Sequence, residues 1–215
     1  MSQLAFPGES EAYREARTAL LEAELALREH IESVAAQRRA LPLGGKVPDY
    51  QFLGPDGPVS LADLFGPHDT LMIYSFMYGA DAEAPCPMCS AFVDSLAGHI
   101  EHIQARTNII VAARSPYPRL AALAADKGWR DVPFFSTQQC DYPKDYRSEM
   151  PNGAQVPMCH VFKKTPEGVH HFWGSEVFYA DVAGHPRHVD MIWPLWHFFD
   201  LLPQGRGDFM PKLDY

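Results

Sequence analysis

Over the first forty positions, apolar residues return every three or four places. Tyr13, Ala16, Leu20, Ala23, Leu27, Ile31 and Val34 fall on one face, which predicts a helix over residues 10–40. Leu41-Pro42-Leu43-Gly44-Gly45 stops it, because Pro lacks an amide donor and Gly gives helix little support. About 30 residues make a helix roughly 45 Å long. That is more than a small domain covers alone, so the apolar face is expected to be buried. Two coverings stay open: the aromatic-rich end of the same chain, or a second subunit.

The period then changes. Tyr50-Gln51-Phe52 precedes a turn cluster, Gly54-Pro55-Asp56-Gly57-Pro58, and Val59 to Leu64 follows it. Leu71 to Tyr78 ("LMIYSFMY") and Asn108 to Ala113 ("NIIVAA") are continuous apolar runs, as strands buried on both faces require. Helices are predicted over Ala91–Gln104 and Pro118–Lys127, a short strand over Val132–Ser136, and then a polar, Tyr-rich connection. Val156–Lys163 and Val169–Trp173 flank Thr165-Pro166-Glu167-Gly168 and predict a hairpin. Strands alternating with helices argue for an α/β sheet. The end, His185 to Tyr215, is rich in aromatic residues, with a short helix expected near 188–202. The organisation expected is a helical extension over 1–45, an α/β domain over 46–184, and a C-terminal extension over 185–215 packed on it.

Composition narrows the partners. The 215 residues carry 27 acidic and 18 basic side chains, a formal charge of −9. The densest basic cluster is the pair Arg38-Arg39, so no phosphate-binding surface and no nucleic-acid partner is expected. Met1 to Ser10 has neither a basic head nor an apolar run, and no stretch approaches the ~18 apolar residues of a membrane span. The expectation is a cytoplasmic protein without a membrane partner. Structural disulfides are rare in that compartment, so a Cys-x-x-Cys there points to catalysis or metal.

The chain has four cysteines, and two stand in "EAPCPMCSAF" as Cys86 and Cys89. The run "LMIYSFMY" before them is a strand and "SAFVDSLAGHIEHIQ" after them a helix. Cys86 would then cap the helix, where unpaired amides and the helix dipole stabilise a thiolate. Pro87 would sit in the first turn, where its missing N–H costs little. Cys89 would lie one turn in, within reach of an internal disulfide. Zinc held by Cys86, Cys89, Cys140 and Cys159, or with His160 replacing one, has the ligand count, but the second half lacks a tight Cys-x-x-Cys or His-x₃₋₅-His unit. Two inert thiols is the third reading. No metal or other cofactor is assigned. "QVPMCHVFKKTPEGVHHFWG" adds a proline, Pro157, at the head of a buried strand, where proline is tolerated and a cis bond is expected.

With those elements placed, the order of βα unit, Cys-x-x-Cys, strand, helix, Val-Pro strand and hairpin resembles the thioredoxin fold. The whole chain resembles a bacterial thioredoxin-like family known as domain of unknown function 899. The resemblance is carried by "RRALP", "DYQFLGPDGPVSLADLF", "LMIYSFMYG", "CPMCS", "HHFWGSE" and "FFDLLPQGRGDF", from about residue 12 to the C-terminus. It implies a thioredoxin-like α/β fold, a central mixed sheet flanked by helices, with the long N-terminal helix and the aromatic extension added. The family name brings no activity with it.

This sequence departs from working thioredoxins. Pro85 stands where they have tryptophan. Ala80 stands six residues before Cys86, where they have a buried acid for proton transfer. Asp81 and Glu83, in the loop, are the substitutes the sequence offers. "GPDGPVSLADLF" resembles the entry hairpin of peroxiredoxins, but their Pro-x-x-x-Thr-x-x-Cys would place Gly79 and Glu83 at its Pro and Thr. The expected function is thiol–disulfide exchange. Cys86 attacks a protein or small-molecule disulfide, Cys89 resolves the mixed disulfide, Pro157 presents backbone to the substrate, and an unidentified reductant recycles the pair. A peroxiredoxin-type thiol peroxidase ranks second. A non-catalytic thioredoxin-fold module that dimerises through its long helix is the rival from another class. Cys159 is expected in the core, with a third redox role as the alternative. Cys140 is placed in a loop, His160 in the core, and Trp193 and Trp196 in packing. His185 and His188 are spaced to share one helical turn.

Overall fold

The computed structural model describes residues 4–215; Met1 to Gln3 of the N-terminal extension lie outside them. The chain divides into two compact units, one ending at Pro42 and the other comprising Leu43–Tyr215.

The first unit is helix α1, Glu11–Arg39. Ser10 caps it by accepting the Tyr13 amide at 3.2 Å, which satisfies one of the helix's orphan donors. Its composition of Ala, Leu, Glu and Arg favours helix at nearly every position. No residue of α1 is buried. Leu20, Leu27 and Ile31 are 52%, 59% and 54% exposed. The expected burial of the Leu20, Leu27, Ile31 and Val34 face is therefore not met within the chain. The helix holds itself by its backbone ladder and by surface ion pairs such as Arg17–Glu24, at 2.9 Å.

The second unit is built on seven strands: β1 Gln51–Gly54, β2 Gly57–Ser60, β3 Thr70–Ser75, β4 Asn108–Ala113, β5 Phe134–Ser136, β6 Cys159–Thr165 and β7 Gly168–Gly174. Its helices are α2 Pro87–Ala97, α3 Ile100–Gln104, α4 Tyr117–Lys127, α5 Tyr142–Asp145 and α6 Leu195–Asp200. The strands form one sheet in the order β2-β1-β5-β4-β3-β6-β7. Strands β3, β4 and β5 run parallel, and β6 lies antiparallel to β3 and β7. This is the mixed, thioredoxin-like sheet.

Strand alternation builds two cores. Tyr74, Ile109, Val111 and Ala113 face one side, against Phe92, Val93 and Leu96 of α2, Leu120 of α4, and Trp193 and Trp196. Leu71, Ile73, Ile110 and Ala112 face the other, against Val47, Phe65 and Tyr142. Both faces of β3 and β4 are covered, which is why they read as unbroken apolar runs. Helix α4 ends at Gly128, whose φ of +74° is the left-handed cap that glycine adopts without steric cost.

Several boundaries moved, two of them beside the cysteines. The helix expected over 91–104 starts at Pro87 and breaks at Gly98-His99, where glycine weakens the helix. The strand expected from Val156 begins at Cys159, because Pro157 has no amide to give the ladder. The Val156–Pro157 bond is trans, since the chain has no cis peptide bond among the described residues. That corrects the expected cis bond; the ordinary trans preference of X–Pro prevails. Val156 and Pro157 are anchored on either side of it: the Val156 amide bonds Ser148 O at 2.9 Å and Pro157 O accepts from His188 at 2.7 Å.

Candidate active site

Cys86 is the N-cap of α2 and Pro87 occupies its first turn. The Cys86 amide bonds Met77 O and its carbonyl accepts the Ser90 amide, each at 3.0 Å. The Ser90 hydroxyl adds a second bond to the same carbonyl, at 3.1 Å. The backbone at Cys86 is thus tied to the segment just past β3 and to the first turn of α2. Its side chain is left half-buried at the helix start, while Cys89 is 1% exposed.

The two thiols are electrically unequal. The hydrogen bond from the Cys89 side chain, helped by the amides of Cys89 and Met88, lowers Cys86 to about 6 against the opposing cost of burial. The same contact with Cys86, and burial, push Cys89 well above the ordinary thiol range. The Tyr74 hydroxyl hydrogen-bonds Cys89 and pulls in the opposite direction. Tyr74 itself is fully buried, and that burial raises its phenol.

Cys159 lies opposite Tyr74 in the β3–β6 register and belongs to the same core as Cys89. Burial raises its thiol to about 12, as expected of a core cysteine. Its amide donates to Ser175 Oγ, and the Ser175 amide returns a bond to its carbonyl, both at 2.9 Å. Cys140 packs against the other core. The four-cysteine zinc set is therefore divided by the sheet. Among the described residues no group of three or more His, Cys, Asp and Glu side chains stands close enough to hold a metal.

Pro157 lines a partly open cavity of ≈ 270 Å³ together with Cys86, Cys89, Tyr74 and Met88. The other wall comes from the C-terminal region: Phe178, His185, His188, Val189 and Trp193. A second, open groove of ≈ 470 Å³ runs past Gly79, Asp81 and Pro85 to the same Cys86. Cys86, Met77 and Gln155 border both spaces.

His188 is the main residue that sequence reasoning undervalued. It and His185 do not share a helical turn; they sit in an irregular segment with ring centroids 6.4 Å apart. His188 Nε2 donates to Pro157 O, which leaves Nδ1 as the acceptor nitrogen of a neutral ring. Burial, first among the causes, keeps the ring's pKa below the usual value. Nδ1 is buried and meets no donor among the described residues, and Trp193 Nε1 likewise meets no acceptor. Such atoms are uncommon in native cores and cost roughly 1–3 kcal/mol each. No spacing in the sequence points from residue 188 back to Pro157.

Arg119 was missed as well. Its guanidinium lies 4.2 Å from the Tyr78 ring centroid and donates to Ala80 O at 2.8 Å and Glu83 O at 3.2 Å. It holds the loop that leads into Cys86. The substitutes for the absent acid fail on burial: Asp81 and Glu83 are exposed, and neither is among the groups that shift either thiol.

His160 is the satisfied core histidine that was expected. Its Nε2 donates to Tyr146 O at 2.8 Å, and its Nδ1 meets His171 Nε2 at 3.0 Å. Burial, followed by repulsion from His171, lowers its pKa to about 4. A Cβ on Gly174 would lie 2.9 Å from that Nδ1, so glycine leaves the ring its room.

Among solved structures, this chain is similar to a Cys-to-Ser mutant of PrxQ from Xylella fastidiosa, at 10% identity and a TM-score of 0.51, covering 74% of this chain and 97% of that one. It is also similar to peroxidoxin BcpB from Mycobacterium tuberculosis, at 17% identity and a TM-score of 0.49, covering 72% and 95%. At such identities the likeness is one of fold. No curated protein matches the sequence. The family model described as "Bacterial protein of unknown function (DUF899)" matches residues 4–214, so the chain belongs to that family.

Proposed function

We propose that the protein is a thiol–disulfide oxidoreductase that uses Cys86 as nucleophile and Cys89 as resolving thiol. The observation that supports this best is the inequality of the pair. Cys86, at the start of α2, has a pKa lowered to about 6 and is a thiolate at neutral pH. Cys89, buried behind it, is held as a thiol until Cys86 has reacted. Once Cys86 is in a mixed disulfide, its negative charge is gone and Cys89 deprotonates more readily. Pro157, beside both sulfurs in the cavity wall, places substrate backbone near them.

The reading is tested with Cys89→Ser. Given a small disulfide, this variant accumulates a mixed disulfide on Cys86 that mass spectrometry detects, whereas wild type passes through it to the internal disulfide. A wild type that never forms the Cys86–Cys89 bond would overturn the reading.

Peroxidase chemistry is the second reading, favoured by the likeness in fold to PrxQ. Against it, Glu83 stands at the threonine position, and no cation is among the groups that lower Cys86. Turnover of hydrogen peroxide by the reduced protein, with loss of the Cys86 thiol, distinguishes it.

Two further proposals complete the reading. The cytoplasm, where dithiol donors are present and thiols are kept reduced, suits a pair that must be recycled. The uncovered stripe on α1 pairs with a second copy of this chain, as its heptad-like spacing allows.

A further inference from the structure

The smaller cavity behind Cys86 has a consistent chemistry. Its ≈ 270 Å³ are walled mainly by aromatic, aliphatic and sulfur-bearing side chains, with the Gln155 amide and two histidines, and with no Lys, Arg, Asp or Glu among them. A cavity of about 150 Å³ takes a benzene ring. The space here admits a ring with a short alkyl tether and is far too small for a folded segment. The attacking sulfur borders it, so a group seated in the cavity lies next to the bond that reacts. The open groove on the other side of Cys86 carries Asp81, whose charge repels an anionic substrate.

We propose that this cavity is the binding site for an uncharged aryl-alkyl arm of a small disulfide substrate. The proposal rests on the oxidoreductase reading above and adds the substrate's chemical class. A carboxylate there would face the Cys86 thiolate with no Lys or Arg in the wall, and would pay its desolvation unrepaid.

With the arm seated, the Cys86 thiolate attacks the sulfur that bears it. The Cys86–substrate S–S bond forms as the substrate's own S–S bond breaks. The departing thiolate leaves with the electron pair and takes a proton from water. Cys89 gives its proton to water and attacks the Cys86 sulfur, and the arm departs as a second thiolate. Two electrons have moved from the pair to the substrate, giving two thiols and a Cys86–Cys89 disulfide. A dithiol donor returns the pair to its starting state.

The experiment is a single-turnover rate comparison on the reduced full-length protein. The probes are 2-phenylethyl 2-hydroxyethyl disulfide, bis(2-hydroxyethyl) disulfide and 3,3′-dithiodipropionate, all built from alkanethiols of similar acidity. Formation of the Cys86–Cys89 disulfide is read by mass after acid quench. The phenylethyl probe is expected to react about tenfold faster than the hydroxyethyl probe, and the dicarboxylate slowest. Phe178→Asp, which puts a charge in the wall at a half-buried position, is expected to bring the ratio of the first two rates toward one. Equal rates in wild type would overturn the cavity's role while leaving the oxidoreductase reading in place. Reaction with none of the probes, in protein whose Cys86 still takes iodoacetamide, would overturn both.

Discussion

At the scale of single residues, the site depends on where one sulfur meets a helix start. Cys86 was legible from its position between an apolar run and a helix, and Cys89 from the spacing. Alkylation follows from their unequal acidities. The rate at Cys86 is expected to rise with pH to a midpoint near 6 and then level off, because its thiolate fraction is complete above that point. Cys89 in the same protein stays largely unlabelled through neutral pH. Peptide mapping after brief iodoacetamide treatment reads both, and preferential labelling of Cys89 contradicts the assignment. A second prediction concerns His160. Its folded pKa, about 4, lies below the ordinary histidine value of 6.5, so between those limits the unfolded chain binds a proton that the folded chain does not. Stability therefore falls as pH drops through that window, by at most ~1.4 kcal/mol per pH unit for this one group. Urea midpoints of wild type and His160→Gln between pH 7 and 4.5 check it, and the variant's slope is expected to be shallower by about one proton. His188 and Arg119 were not legible, because each acts through backbone carbonyls far away in the chain. No side-chain pattern encodes a bond to a distant C=O.

At the scale of elements, period was the reliable signal. Strands β3 and β4 were visible because both of their faces are buried, and α1 because its apolar positions recur every three or four residues. The short α5 was hidden in a stretch that reads as a polar connection, since one turn of helix has no period to detect. Burial of α1 is a different case. A stripe of apolar residues says that a face wants cover, not that the same chain supplies it. If a second copy covers it, Leu27→Asp combined with Ile31→Asp dissociates the assembly. Sedimentation of wild type at micromolar concentration is expected to show a dimer, and the double variant a monomer. A monomeric wild type refutes the pairing. Helicity of the isolated variant by circular dichroism is expected to change little, since both positions face solvent in the single chain.

At the scale of the whole molecule, the mixed sheet follows from alternating strands and helices, and the family match spans residues 4–214. What the sequence left open was how the end of the chain is used. The aromatic residues after His185 were expected to pack, and Trp193 and Trp196 do lie in the main core, yet Trp193 also closes the cavity beside the cysteines. The unequal thiols have one more consequence, in voltage. A thiolate stabilised at Cys86 stabilises the reduced pair over its disulfide, which makes the disulfide a readier electron acceptor. Thioredoxin, with its reactive thiol near pKa ~7, stands at about −270 mV, and DsbA, near ~3.5, at about −120 mV. A nucleophile lowered to about 6 places this pair between them, nearer the first. Equilibration with glutathione buffers at pH 7 is expected to return a potential in that interval. Such a pair would take electrons from a thioredoxin-like donor spontaneously and pass them on only to disulfides more oxidising than itself.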